Sequence, residues 1–125
     1  MDPKPTIRVD ASPRYLATES RPEDRHYAFA YTITISNHGP LPARLLQRHW
    51  VITDAQGQVQ EVRVEGVVGE TPRLEPGEAF RYTSAAVIAT PTGMMQGEYR
   101  LRLDNGEWFE AEIPPFALAM PGALH

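Results

Sequence analysis

From Tyr27 to Ser36 the chain alternates without a break. Tyr27, Phe29, Tyr31, Ile33 and Ile35 fall on one side, and Ala28, Ala30, Thr32, Thr34 and Ser36 on the other. A period of two places successive side chains on opposite faces of a pleated strand. One face therefore carries the large apolar groups toward a core, while the other is small or hydroxylated. Asn37-His38-Gly39-Pro40 ends this strand with strong turn chemistry.

The same logic extends along the chain. Thr6–Asp10 and Arg14–Thr18 read as two short edge-like strands, because Pro3, Pro5 and Pro13 exclude a helix and proline is tolerated at sheet margins. Residues 20–25 (SRPEDR) form a charged turn. A second long strand spans LLQRHWVITDAQG (45–57). Its two faces, Leu46, Arg48, Trp50, Ile52 and Leu45, Gln47, His49, Val51, are both mixed, so inward and outward stay unassigned; Trp50 is expected to anchor the core. Asp54-Ala55-Gln56-Gly57 reads as a hairpin turn into Val59–Val64. Ala79–Ala89 is a further strand with Phe80 and Tyr82 on one side, and Pro91–Gly93 turns the chain. Tyr99, Leu101 and Leu103 alternate in the next strand, and Asp104-Asn105-Gly106 makes a tight turn. In the last strand Trp108, Glu110 and Glu112 alternate with Phe109, Ala111 and Ile113, closed by Pro114-Pro115. Tyr99 stands where a corner tyrosine sits in immunoglobulin-like sandwiches. About seven or eight strands at 8–12-residue spacing, without a helix, predict one all-β domain: an immunoglobulin- or fibronectin type III-like antiparallel β-sandwich. Glycine and proline, together about 17% of the chain against roughly 12% in average proteins, suit that many turns.

Charge and composition narrow the function classes. The 125 residues carry a net charge of −4. Residues 1–53 hold seven Arg/Lys and five Asp/Glu, whereas residues 54–112 hold five and eleven. An acidic second region is a poor surface for phosphate backbones, which disfavours nucleic acid as the main partner. The chain has no cysteine, which removes disulfides, thiolate metal sites and cysteine nucleophiles. No apolar run approaches membrane-spanning length, and MDPKPTIRVD lacks the pattern of a signal peptide. A soluble, cytoplasmic protein is the expectation.

Several segments in order resemble the ApaG (CorD) family: RHWVITDAQG (48–57), EGVVGETPRLEPGEAFRYTS (65–84), PTGMMQGEY (91–99) and IPPF (113–116). The resemblance covers residues 27–118 of a single domain spanning 1–125, with edge strands and a turn at 1–26 and a tail at 119–125. It implies a fibronectin type III- or immunoglobulin-like sandwich. Bacterial members are associated with cobalt resistance and magnesium efflux, and are often encoded beside a dinucleoside tetraphosphatase. Similar domains in eukaryotic F-box proteins and in a DNA-polymerase-associated protein look like interaction modules.

The candidate surface is the 64–78 loop with its neighbours: Arg48, His49, Gly66, Val67, Val68, Gly69, Glu70, Pro72 and Arg73. ApaG-like proteins tend to show Gly-x-Gly-x-x-Gly here, but this chain has VEGVVG, with Val64 at the first glycine position. A dinucleotide fingerprint also needs a helix after it, which Pro72 and Pro76 prevent. A turn in which Gly66 and Gly69 permit positive φ or close backbone approach is the better account. Arg48 and His49 project to opposite faces; one serves as an anion or partner contact, or Arg48 lies along Trp50 and pairs with a carboxylate. His26, His38, His49 and His125 show no ligand spacing, and the acidic residues are scattered, so no metal site or cofactor is assigned. Ser36 and Ser84 lack nucleophile-elbow glycines, and Glu107, Glu110 and Glu112 suggest solvated surface, so no catalytic residue is assigned. Met94, Met95 and the tail 116–125 either contact a partner or have Phe116 and Leu118 cover an open end of the sandwich. The expected function is a non-enzymatic interaction or adaptor domain with a protein partner, loosely tied to cobalt and magnesium homeostasis. The alternative is a sensor that binds a phosphorylated metabolite or divalent cation through the 64–78 loop. A homodimer through exposed sheet edges is a further expectation.

Overall fold

A computed structural model describes residues 6–67 and 69–123. Pro3, Pro5, Val68 and His125, named above, lie outside the described residues. Eight strands run in order: β1 (Ile7–Tyr15), β2 (Tyr27–Asn37), β3 (Ala43–Asp54), β4 (Val59–Glu65), β5 (Arg73–Leu74), β6 (Ala79–Ile88), β7 (Thr92–Leu103) and β8 (Trp108–Ala119). One 3₁₀ turn, Pro22–Asp24, lies in the segment expected as a charged turn. Every pairing is antiparallel. The smaller sheet has the order β1-β2-β6; the larger has β4-β3-β7-β8, with β5 pairing β3. The chain is an all-β sandwich, and its second and third strands belong to different sheets, as in fibronectin type III-like folds.

β2 is the central strand of the smaller sheet, and its odd residues face the core as the alternation predicts: Phe29, Ile33 and Ile35 are fully buried. β1 is one continuous strand rather than two. Pro13 stands inside it, opposite Tyr31. An edge strand offers only one side to a ladder, so a missing N–H there need cost no hydrogen bond.

The mixed faces of β3 have a specific cause. Its register against β7 shifts between Leu45 and Gln47, making Leu46 the extra residue of a β-bulge. A bulge reverses the parity of everything beyond it. Leu45 therefore faces the core together with Arg48, Trp50 and Ile52, while Gln47, His49 and Val51 face out. Trp50 is 2% exposed and does anchor the core. Its ring lies 5.2 Å from Tyr31, 6.0 Å from Phe116 and 6.4 Å from Tyr99.

β8 does not stop at Pro114-Pro115. The register places Met95 opposite Phe116 and Gly97 opposite Ile113, so both prolines oppose Gln96 in a second bulge on an edge strand. There the ladder is already interrupted, and proline is tolerated. Extending β8 puts Phe116 against Trp50 and buries Leu118 completely, and Met95 is likewise buried. These residues cover the sandwich, while Met94 is exposed. Tyr99 is no corner residue either. It sits well inside β7, and its hydroxyl pairs with that of Tyr82 in the opposite sheet. Burial pushes the ionisation of both phenols upward, so the pair stays neutral and ties the two sheets together.

Candidate functional site on the outer face of the larger sheet

The 64–78 loop is a tightly built turn. Val67 and Glu70 bond each other's backbone, N–H to carbonyl, at 2.7 and 3.0 Å. Gly66 (φ 69°) and Gly69 (φ 78°) take the left-handed conformation that the turn reading allows. A Cβ on Gly66 would come within 2.5 Å of the Glu70 carbonyl oxygen. Val67 is fully buried in the core, so it offers no surface. The Pro72 carbonyl accepts a bond from the Leu45 N–H at 2.9 Å. Arg73 is held by Asp104 and Glu75, and this raises its pKa while lowering that of Asp104. Of the expected residues here, Gly69, Glu70 and Arg73 are exposed. The loop leads into β5 and β6 rather than a helix, so the loop itself presents no helix terminus to a phosphate.

His49 and Arg48 do point to opposite sides. On the outer face His49 is clamped between carboxylates from two neighbouring strands. Its Nδ1 lies 2.7 Å from Glu98 of β7, and its Nε2 lies 2.7 Å from Glu61 of β4. Two acceptors on one ring favour the doubly protonated imidazolium, the only form that donates from both nitrogens. The Glu98 bond, helped by Glu61 and opposed by partial burial, raises the His49 pKa above its ordinary 6.5. His49 in turn lowers that of Glu61. A ring in that state has no free lone pair, so it is a poor general base. The two carboxylates engage opposite nitrogens and diverge. Among the described residues no group of three His, Asp or Glu is placed to hold a metal ion.

Beside this clamp is an open depression of about 300 Å³, lined in part by Gln47, Arg63, Glu65, Arg100 and Glu110. Further along the face the register aligns Arg73, Arg44, Arg102 and Trp108 in one cross-strand row. Trp108 stands 46% exposed. The Arg100 guanidinium lies 4.3 Å from its ring centre and that of Arg102 5.3 Å, a cation–π arrangement that holds the indole in place. Arg73 belongs to the sequence-derived site, but Arg44, Arg100, Arg102 and Trp108 were absent from it, although a signal existed: Trp108 is in phase with Glu110 and Glu112, a large aromatic on a polar face.

Arg48 faces inward. Among the described residues it forms no ion pair, contrary to the expected carboxylate partner. Its guanidinium instead lies 5.9 Å from the Tyr82 ring centre.

Fold and face together define a β-sandwich that presents an ordered, charged sheet surface. The ApaG domain model matches residues 17–103. The chain is 54% identical to Protein ApaG of Ectopseudomonas mendocina over 124 residues, covering 99% of this chain and 98% of that one. It is 56% identical to Protein ApaG of an Azoarcus species over 119 residues, covering 95% and 94%. The crystal structure of the ApaA protein of Bordetella pertussis superposes with a TM-score of 0.92 at 47% identity, covering 94% of this chain and 96% of that one. The chain belongs to the ApaG family.

Proposed function

We propose that this chain is a non-enzymatic protein-interaction domain of the cytoplasm, whose partner docks on the outer face of the larger sheet. One observation carries the reading: Trp108 stands exposed on that face with Arg100 and Arg102 against its ring. Tryptophan and arginine dominate binding energy at protein interfaces, and an indole already held in place loses little entropy on docking. Arg73, Glu70 and Gly69 form the rim of this surface and His49 its floor. Arg48 and Val67 turn away from it. The link to cobalt and magnesium homeostasis rests on the family resemblance, and we assign it to the partner rather than to an ion held by this domain. The ligand-sensor alternative through residues 64–78 has weaker support, because that loop is occupied by its own turn bonds.

Arg73→Glu is a poor probe, since Arg73 also ties β5 to the β7–β8 turn. Trp108→Ala and Arg100→Glu remove surface groups alone. A photo-crosslinking amino acid at Gln47 in living cells reads capture on this face. Both substitutions abolish the captured species, while Arg14→Glu on the exposed face of the other sheet leaves it intact. An unchanged pattern in both variants refutes the surface. A homodimer through a sheet edge is a separate proposal, settled by light scattering of the purified chain: the mass of two chains supports it, and the mass of one rejects it.

A further inference from the structure

The two sheets do not close equally on both sides. β1 packs near β8, but on the opposite side the free edges of β4 and β6 leave an opening between the layers. There Gln60 reaches across from β4 to the Val87 carbonyl of β6 at 3.1 Å. Behind it lies a cleft of about 300 Å³ whose walls include Tyr31, Trp50, Ile52, Val62 and Ala86. Val62 and Val87 stand exposed at its mouth.

Arg48 also lines this cleft, and so does Ser84. The Nε of Arg48 and the Nε1 of Trp50 are buried, and neither meets an acceptor among the described residues. Two buried N–H groups left in this way, one of a half-buried guanidinium and one of an indole, are costly unless an acceptor reaches them. The chain carries more acids than bases, yet no described carboxylate pairs with Arg48. The walls suit an apolar body and the floor supplies a guanidinium, an indole donor and a hydroxyl, the usual division of labour in a small-molecule pocket.

We propose that this cleft binds a small organic carboxylate: an apolar body against Trp50, Tyr31 and Val62, and an acid group accepting hydrogen bonds from Arg48 and Trp50. The guanidinium fork matches a carboxylate geometrically, which a lysine ammonium would not. The site is separate from the outer sheet face and stands or falls independently of the docking surface there.

The test titrates the ¹⁵N-labelled full chain with 4-phenylbutyrate, using 4-phenylbutanol as the uncharged control, and reads the two tryptophan indole N–H signals. The acid moves the Trp50 signal saturably and leaves Trp108 unmoved, and the alcohol binds about tenfold or more weakly, as loss of a charge-assisted bond requires. Arg48→Met brings the acid down to the affinity of the alcohol. If that variant fails to fold, Val62→Trp serves instead: it fills the mouth from an exposed position and abolishes acid binding. A Trp50 signal that stays fixed up to about 10 mM acid overturns the proposal. So does equal affinity for acid and alcohol, or acid binding that survives the variant used.

Discussion

Gly97 sits where the backbone of the neighbouring strand leaves no room for a side chain. It pairs with Trp50 across the β3–β7 ladder at the centre of the larger sheet. A Cβ there would come within 1.9 Å of the His49 carbonyl oxygen and 3.2 Å of the Trp50 Cα. The first distance is roughly 1.5 Å short of van der Waals contact. Both obstructing atoms are backbone, so no rotamer change relieves the clash. Gly97→Ala must therefore push β3 and β7 apart by a large fraction of their normal spacing of about 4.8 Å. Two or three ladder hydrogen bonds weaken, at about 1 kcal/mol each, and the packing around Trp50 loosens. Core overpacking costs about 1–3 kcal/mol even where side chains can yield. Together these give a loss of about 3–6 kcal/mol from a domain whose total stability is of the order of 5–15 kcal/mol. Urea unfolding followed by tryptophan fluorescence measures this directly, with the midpoint falling at an unchanged slope. A loss below about 1 kcal/mol would show that the strands separate easily, and the reasoning from close backbone approach would be wrong.

His49 and the buried tyrosines supply two further predictions. Because the folded state raises the His49 pKa, its stabilising contribution is complete below the ordinary value of 6.5 and is lost as pH rises through the folded value. The stability difference between the wild-type chain and His49→Gln therefore shrinks as pH rises above 6.5 and through the raised folded value, and an NMR titration giving a ring pKa of 6.5 or less refutes the clamp. Tyr82→Phe and Tyr99→Phe each strand one hydroxyl between the sheets and cost about 1–2 kcal/mol, whereas the double variant costs clearly less than the two losses combined. Strict additivity of the two losses in denaturant unfolding would exclude the hydroxyl pair.

How much of this was legible in the sequence depends on whether a strand obeys its period. β2 does, because it is central in its sheet and buries one face along its whole length, so its inward residues could be listed from the sequence alone. β3 breaks the period at Leu46. A strict alternation groups Leu45 with Gln47 and His49, when Leu45 belongs with Trp50. β5 has only two residues, too few to show any period. Pro114-Pro115 signals a strand end under the local rule, and only the bulge opposite Gln96, a feature of the partner strand, permits the strand to continue. The VEGVVG turn was legible because positive φ at Gly66 and Gly69 is a local requirement. The Glu61–His49–Glu98 clamp was not, because it depends on the register of three strands.

The Leu46 bulge also decides what each face of the sheet can do. Leu45 is fixed in the core by its pairing with the buried Leu101. Were Leu46 paired in a regular ladder with no bulge, alternation from Leu45 would turn position 48 outward and position 49 inward. The histidine would then sit between the layers, away from Glu98 and Glu61, and the arginine would join the charged outer face. With the bulge, the imidazolium joins neighbouring carboxylates on the outer surface, and the guanidinium enters a cleft where it has tyrosine and tryptophan neighbours but no described acid. Alternation alone separates these two neighbours; the bulge decides which of them faces the core and which faces out. It gives the outer face an internally compensated cation and the inner cleft an uncompensated one, so a search for an anionic ligand belongs at Arg48 and a search for a protein partner belongs on the opposite face.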